Sequence, residues 1–123
     1  MRQGGVMSFN LKGYRFSLVF APTDMRRGYV GLNILAKQFV GVDVGKCRDC
    51  VVFVSRNRTI AKMIWANDKG GFMLTRKLND GRFQQILARI DAGENMELSA
   101  DVLLKYLDGE PIQSVRTDYF QKV

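Results

Sequence analysis

Three short apolar runs, Val51 to Ser55, Ile60 to Ala66 and Phe72 to Leu78, are separated only by Arg56-Asn57-Arg58-Thr59 and Asn67-Asp68-Lys69-Gly70-Gly71. Runs of this length, rich in Val, Ile, Phe and Trp and bounded by Asn, Asp and Gly, read as strands. Connections this short join antiparallel neighbours, because a parallel pair needs a much longer crossover. The middle of the chain is therefore expected to form an antiparallel meander. A symmetric second loop would set Trp65 opposite Met73, Met63 opposite Thr75 and Ile64 opposite Leu74. It would also set Lys62 opposite Arg76, a like-charge pair that is unfavourable unless the side chains splay or an anion neutralises them. Both faces of this sheet are largely apolar, so the sheet needs a cover.

Leu32, Leu35, Ala36 and Phe39 recur at helical spacing, with Val30 and Ile34 beside them and Gly41 as a stop, which predicts a helix near residues 28 to 40 able to cover one face. Gly28 and Gly31 sit in its first turn, where glycine costs about 1 kcal/mol against alanine or admits a second backbone. Ahead of this helix, Tyr14 to Phe20 is aromatic and β-branched and stops at Ala21-Pro22, as a strand would. Near the other end, Ser99 caps a shorter helix with the stripe Val102, Leu103, Tyr106 and Leu107, closed by Gly109 and Pro111. Arg82 to Ile90 reads as helix by propensity and as strand by the hairpin-like turn before it, and we lean to strand. Ile112 to Val123 reads as a peripheral tail. The expected fold is α+β: one domain over residues 1–123, an antiparallel meander covered by a helix, and a second short helix near the C-terminus. With 123 residues the chain can bury a core without disulfides or metals.

Cys47-Arg48-Asp49-Cys50 has the spacing of a zinc half-site or a redox pair. Zinc needs four ligands, and the chain has no histidine and no further cysteine. A redox pair usually opens a helix, whereas Val51-Val52-Phe53-Val54 reads as strand. Both cysteines are thus expected to be plain thiols. Without histidine, or a serine in a nucleophile elbow, the common acyl-transfer arrangements are missing. No phosphate-loop sequence is present either. Asp24, Asp43, Asp68 and Asp80 sit in turns or at helix ends, where aspartate is expected anyway, so a magnesium-dependent nuclease is the lesser alternative. No enzyme activity and no cofactor is expected. No uncharged apolar run approaches the roughly 18 residues of a membrane span, and Met1-Arg2-Gln3-Gly4-Gly5 lacks the apolar stretch of a signal peptide, so the expectation is a cytoplasmic protein with no membrane partner.

The chain carries 19 Lys and Arg against 12 Asp and Glu, a net charge of +7. The excess is uneven: 15 basic and 5 acidic residues lie up to Arg82, and 4 and 7 beyond it. Such a distribution favours an acidic partner for the first two-thirds of the chain. Arg26 and Arg27 are the leading binding residues, because a strand–loop–helix junction aims backbone N–H groups and a helix dipole at whatever approaches. Arg56, Arg58 and Lys62, with Arg76, Lys77 and Arg82, could extend this into a stripe suited to phosphates. Thr23, Asp24 and Gly28 are read as structuring the loop, with Asp24 pairing with one of the two arginines. Trp65 could stack on a base, but in a strand it reads as core.

Together these segments resemble the second-open-reading-frame accessory proteins, called TnpB, of insertion-sequence-66-type transposons. The resemblance is carried by Thr23-Asp24-Met25-Arg26-Arg27-Gly28, Gly31-Leu32, Val52-Phe53-Val54, Arg56-Asn57-Arg58 and Lys62-Met63-Ile64-Trp65. It continues through Gly71-Phe72-Met73-Leu74, Lys77-Leu78, Gly81-Arg82-Phe83, Leu98-Ser99, Leu103-Leu104 and Leu107-Asp108-Gly109. Departures are Ala66-Asn67, Arg76-Lys77-Leu78-Asn79 and Gln84-Gln85. The resemblance implies a small bacterial protein encoded beside a separate transposase and assisting DNA recombination, with no catalytic activity of its own. The expected partners are DNA, such as the transposon ends, and the transposase. The alternative is a pure protein-interaction module that docks an acidic transposase surface without binding DNA.

Overall fold

The computed structural model describes residues 11–19, 21–85 and 95–112. In chain order these form β1 (Arg15–Val19), α1 (Tyr29–Phe39), a single 3-10 turn at Val44–Lys46, β2 (Asp49–Val54), β3 (Ile60–Asn67), β4 (Gly70–Lys77), β5 (Asn95–Leu98) and α2 (Ala100–Leu107). The fold is α+β, with the meander β2–β3–β4 at its centre as expected. The strands make one five-stranded sheet in the order β4-β3-β2-β1-β5.

Three features of the sheet differ from the sequence reading. First, β1 pairs in parallel with β2, so α1 is part of a crossover as well as a cover. Second, β5 adds an antiparallel edge beside β1 at a segment with no clear strand pattern. Third, the β3–β4 register is shifted by one residue: Trp65 faces Phe72, Ile64 faces Met73 and Met63 faces Leu74. The reason lies in the turn, where the Asn67 side-chain oxygen accepts the N–H groups of Lys69 (2.8 Å) and Gly70 (3.2 Å). This Asx-type closure makes Asn67 and Gly70 a strand pair with only Asp68 and Lys69 between them. The like-charge pair consequently disappears, since Lys62 faces Thr75 and Arg76 faces Ala61.

The pleat sends alternate residues to two cores. Val19, Val51, Phe53 and Ile64 meet Leu32 and Ala36 of α1, joined by Val44. Leu18, Val52, Met63 and Trp65 lie on the other side with Leu103 and Tyr106 of α2. Every residue of β2 is buried, as befits a strand covered on both faces. Trp65 is 3% exposed and stacks on Phe72 with ring centroids 5.0 Å apart, so it is core. Ser99 caps α2 by accepting the Val102 N–H, and Phe83, quoted in the sequence only as part of Gly81-Arg82-Phe83, stacks on Tyr106 at 5.5 Å. Residues 82–85 form no helix or strand, and the rest of the ambiguous segment, 86–90, lies outside the described residues. Ile112, read as the start of a tail, is buried, and its N–H donates to the Gln84 side chain at 2.7 Å. The remainder of that tail also lies outside the described residues.

A close approach at Gly28 or Gly31, one of the two readings of these glycines, is not found: a Cβ at Gly28 would meet open space and one at Gly31 only the Arg27 side chain. It occurs at Gly71, where a Cβ would overlap the Tyr29 ring laid across β4. Gly71→Ala should therefore cost about 1 kcal/mol by forcing that ring aside. In urea unfolding, the cost should vanish in a Tyr29→Ala background, and additive effects would contradict the contact.

Candidate functional site

Parallel pairing of β1 with β2 brings the C-terminal ends of both strands to one end of the sheet. Two loops leave from there: residues 21–28 lead into α1, and residues 55–59 turn into β3. They are stitched together, because the Thr23 N–H donates to the Val54 carbonyl at 3.0 Å and the Lys62 ammonium donates to the carbonyls of Met25 (2.6 Å) and Arg27 (3.1 Å). Thr23 is buried and its hydroxyl donates to the Ala21 carbonyl.

The first loop is organised by Asp24. Its carboxylate accepts the Arg26 backbone N–H at 2.9 Å and the Arg26 guanidinium through Nε and Nη2 at 3.0 and 2.8 Å. The Arg26 guanidinium fork, aided by that N–H, holds the Asp24 carboxyl well below the usual carboxylate range. Arg26 is thus both paired and outward, its side chain 91% exposed. Gly28 is the residue before α1 and provides no side-chain cap, leaving the first turn of the helix uncapped by side chains. The Arg27 side chain lies along this turn, beside Gly31.

The second loop is set by Asn57, whose side-chain oxygen accepts the Ser55 and Thr59 hydroxyls at 2.8 and 2.9 Å. Arg58 takes a left-handed conformation at φ 61°, and its carbonyl accepts the Phe83 N–H at 2.7 Å. Its side chain is half-buried rather than outward. Arg56 is exposed and borders two recesses. One, of about 470 Å³, is walled by Pro22, Thr23, Asp24, Arg27, Leu35 and Phe39, with the Asp24 carboxylate engaged by Arg26; the other, of about 130 Å³, contains Arg58, Gln84 and Gln85.

The residues singled out in the sequence therefore gather at one end of the sheet, but not in one role. Arg27 and Arg56 come from different loops to the same recess. Lys77 closes β4 opposite Ile60 at this end, and Arg82 precedes Phe83. Lys62 instead clamps the first loop. Arg76 donates to the Leu107 carbonyl (3.1 Å) and to Asp108 (3.3 Å), tying the end of α2 to the sheet. These two cations point to opposite cores, which a charge count cannot reveal.

Among the described residues no group of three or more His, Cys, Asp or Glu side chains could hold a metal. Asp43, one of the four aspartates considered, accepts from the Asn33 side chain and the Gly45 N–H, which lowers its pKa. Cys50 is fully buried, and burial pushes its thiol up to about 12, the reverse of what redox chemistry needs. Among the described residues no helix is long and apolar enough to cross a membrane.

Two outcomes follow from these environments. The folded pKa values of Asp24 and Asp43 lie below the unfolded value of about 4, so the stability they contribute is present above that pH and is lost as pH falls through the folded values. Protection of the Arg26 and Gly45 amides, measured against their intrinsic exchange at each pH, should fall ahead of that of β2 on acidification, and loss in step with β2 would contradict this. Iodoacetamide at mildly alkaline pH should label Cys47 well before Cys50 by mass spectrometry, and equal labelling would count against the buried thiol.

The family described as IS66 Orf2 like protein has a model that matches residues 14–117. No curated protein and no solved structure matches the chain.

Proposed function

The chain belongs to the IS66 Orf2-like family of transposition-associated accessory proteins, and from that premise we propose that it assists its element's transposase without catalysing a step, by binding DNA through the basic end of its sheet. The observation that carries this reading is the convergence of Arg27 and Arg56, from separate loops, on one recess beside the exposed Arg26 guanidinium. Guanidinium groups held at loop ends over a rigid sheet suit phosphate oxygens, which they meet through paired N–H donors. Lys77 and Arg82 flank the same end and widen the positive surface. Contacts of this kind position a duplex without reading its sequence, so affinity rather than sequence preference is their expected contribution.

The test is fluorescence anisotropy of a labelled transposon-end duplex and a scrambled duplex across a salt series. Each phosphate contact removed should lower the magnitude of the slope of log K against log salt by about one. Arg27→Ala/Arg56→Ala should therefore flatten the slope by about two for both duplexes. Arg76→Met, which removes a cation tied to α2, should leave the slope unchanged. An unchanged slope in the double variant, or no binding near physiological salt, would overturn the DNA reading and favour the transposase as the direct partner.

A further inference from the structure

The smaller recess holds an unanswered hydrogen-bond donor. The Nε of Arg58 is shielded from solvent and, among the described residues, has no hydrogen-bond partner. A buried cationic donor left without an acceptor is costly, and in native proteins such a group marks strain, an ion or a ligand. The left-handed backbone of Arg58, at φ 61°, is held on both sides, its N–H donating to the Ser55 carbonyl at 3.0 Å and its carbonyl accepting from Phe83, so any strain lies in the main chain and leaves the side-chain Nε unanswered. Elsewhere the chain shows how it uses the same edge of a guanidinium. Arg26 grips Asp24 through Nε and Nη2, and Arg15 grips Asp49 the same way at 3.1 and 3.2 Å. Arg58 offers that fork to no described acceptor.

We infer that the recess beside Arg58 is a docking pocket for one carboxylate side chain of a protein partner, carried on an apolar stretch of peptide. The pocket's size and walls select this occupant over a DNA backbone. At about 130 Å³ it admits one acidic side chain, and Leu18, Pro22 and Val54 can take up its methylenes and an apolar neighbour. A phosphodiester enters a site flanked by two sugars and needs an open groove. Gln84 and Gln85 line the rim, and the Gln84 carbonyl is fixed by the Tyr106 hydroxyl at 2.9 Å. A carboxylate there forms two parallel charge-assisted bonds, the arrangement in which arginine contributes most to recognition. Arg56 borders this recess as well as the larger one, so the Arg58 Nε–H, which belongs to the smaller recess alone, is the readout that separates this site from DNA contact at Arg27 and Arg56.

The test uses the full-length, 15N-labelled protein and the arginine Nε–H region of its proton–nitrogen spectrum. The Arg58 signal is assigned by its loss in Arg58→Lys. The probes are N-acetyl-Leu-Glu-amide, the isosteric N-acetyl-Leu-Gln-amide, inorganic phosphate and a short DNA duplex. The glutamate peptide should shift the Arg58 Nε–H and the Gln84 amide saturably, and the glutamine peptide should not. Gln85→Glu, which sets a like charge on the rim, should weaken the glutamate peptide roughly tenfold or more. Gln85 is exposed, so this variant keeps the test open even where Arg58→Lys fails to fold. Equal response to both peptides, no response to the glutamate peptide, or a larger response to phosphate or duplex would each overturn the assignment, the last in favour of a nucleic-acid site.

Discussion

Parallel pairing of β1 with β2 is the constraint on which the rest depends. It forces the chain to cross from one end of the sheet to the other between the two strands, and α1 makes that crossing. Because the strands run the same way, the loops that leave them emerge side by side. Thr23 and Lys62 then stitch the first loop to the sheet. Without this pairing Arg27 and Arg56, 29 positions apart in sequence, would have no reason to share a recess.

Much of the fold was legible because local pattern and burial agree. The meander strands carry β-branched and aromatic residues bounded by turn formers, and both helices show their buried stripe at the right period. What could not be read was anything set between distant segments. A pairing direction for β1 leaves no trace in its own five residues. The register of β3 and β4 turned on whether Asn67 belongs to the strand or to the loop, and that was decided by its side chain bonding forward to Lys69 and Gly70. β5 is short, and it lies at an edge where one partner strand fixes it.

The candidate site was legible as a neighbourhood rather than as a set of roles. Strand, proline and acidic-basic loop before a helix are legible in the chain, and the structure places that loop between β1 and α1. Sequence cannot distinguish a cation that faces solvent from one that holds the structure, since both are simply lysine or arginine. Lys62, expected to extend a basic stripe, binds two carbonyls of the first loop, and Arg76 binds the end of α2. Arg58 is a third case, half-buried in a left-handed turn with its Nε shielded from solvent. Asn57, which shapes that turn, and Phe83, which ties it to α2, carry signals too common among turn and core residues to stand out.

The most direct measurement is amide hydrogen exchange at Thr23, compared with the interior of β2. If the first loop is fixed to the end of the sheet, the Thr23 N–H bonded to Val54 exchanges as slowly as a strand amide, and Lys62→Met accelerates it. If Thr23 exchanges at the rate of an open loop, the two basic loops do not form one surface and the site described here does not exist.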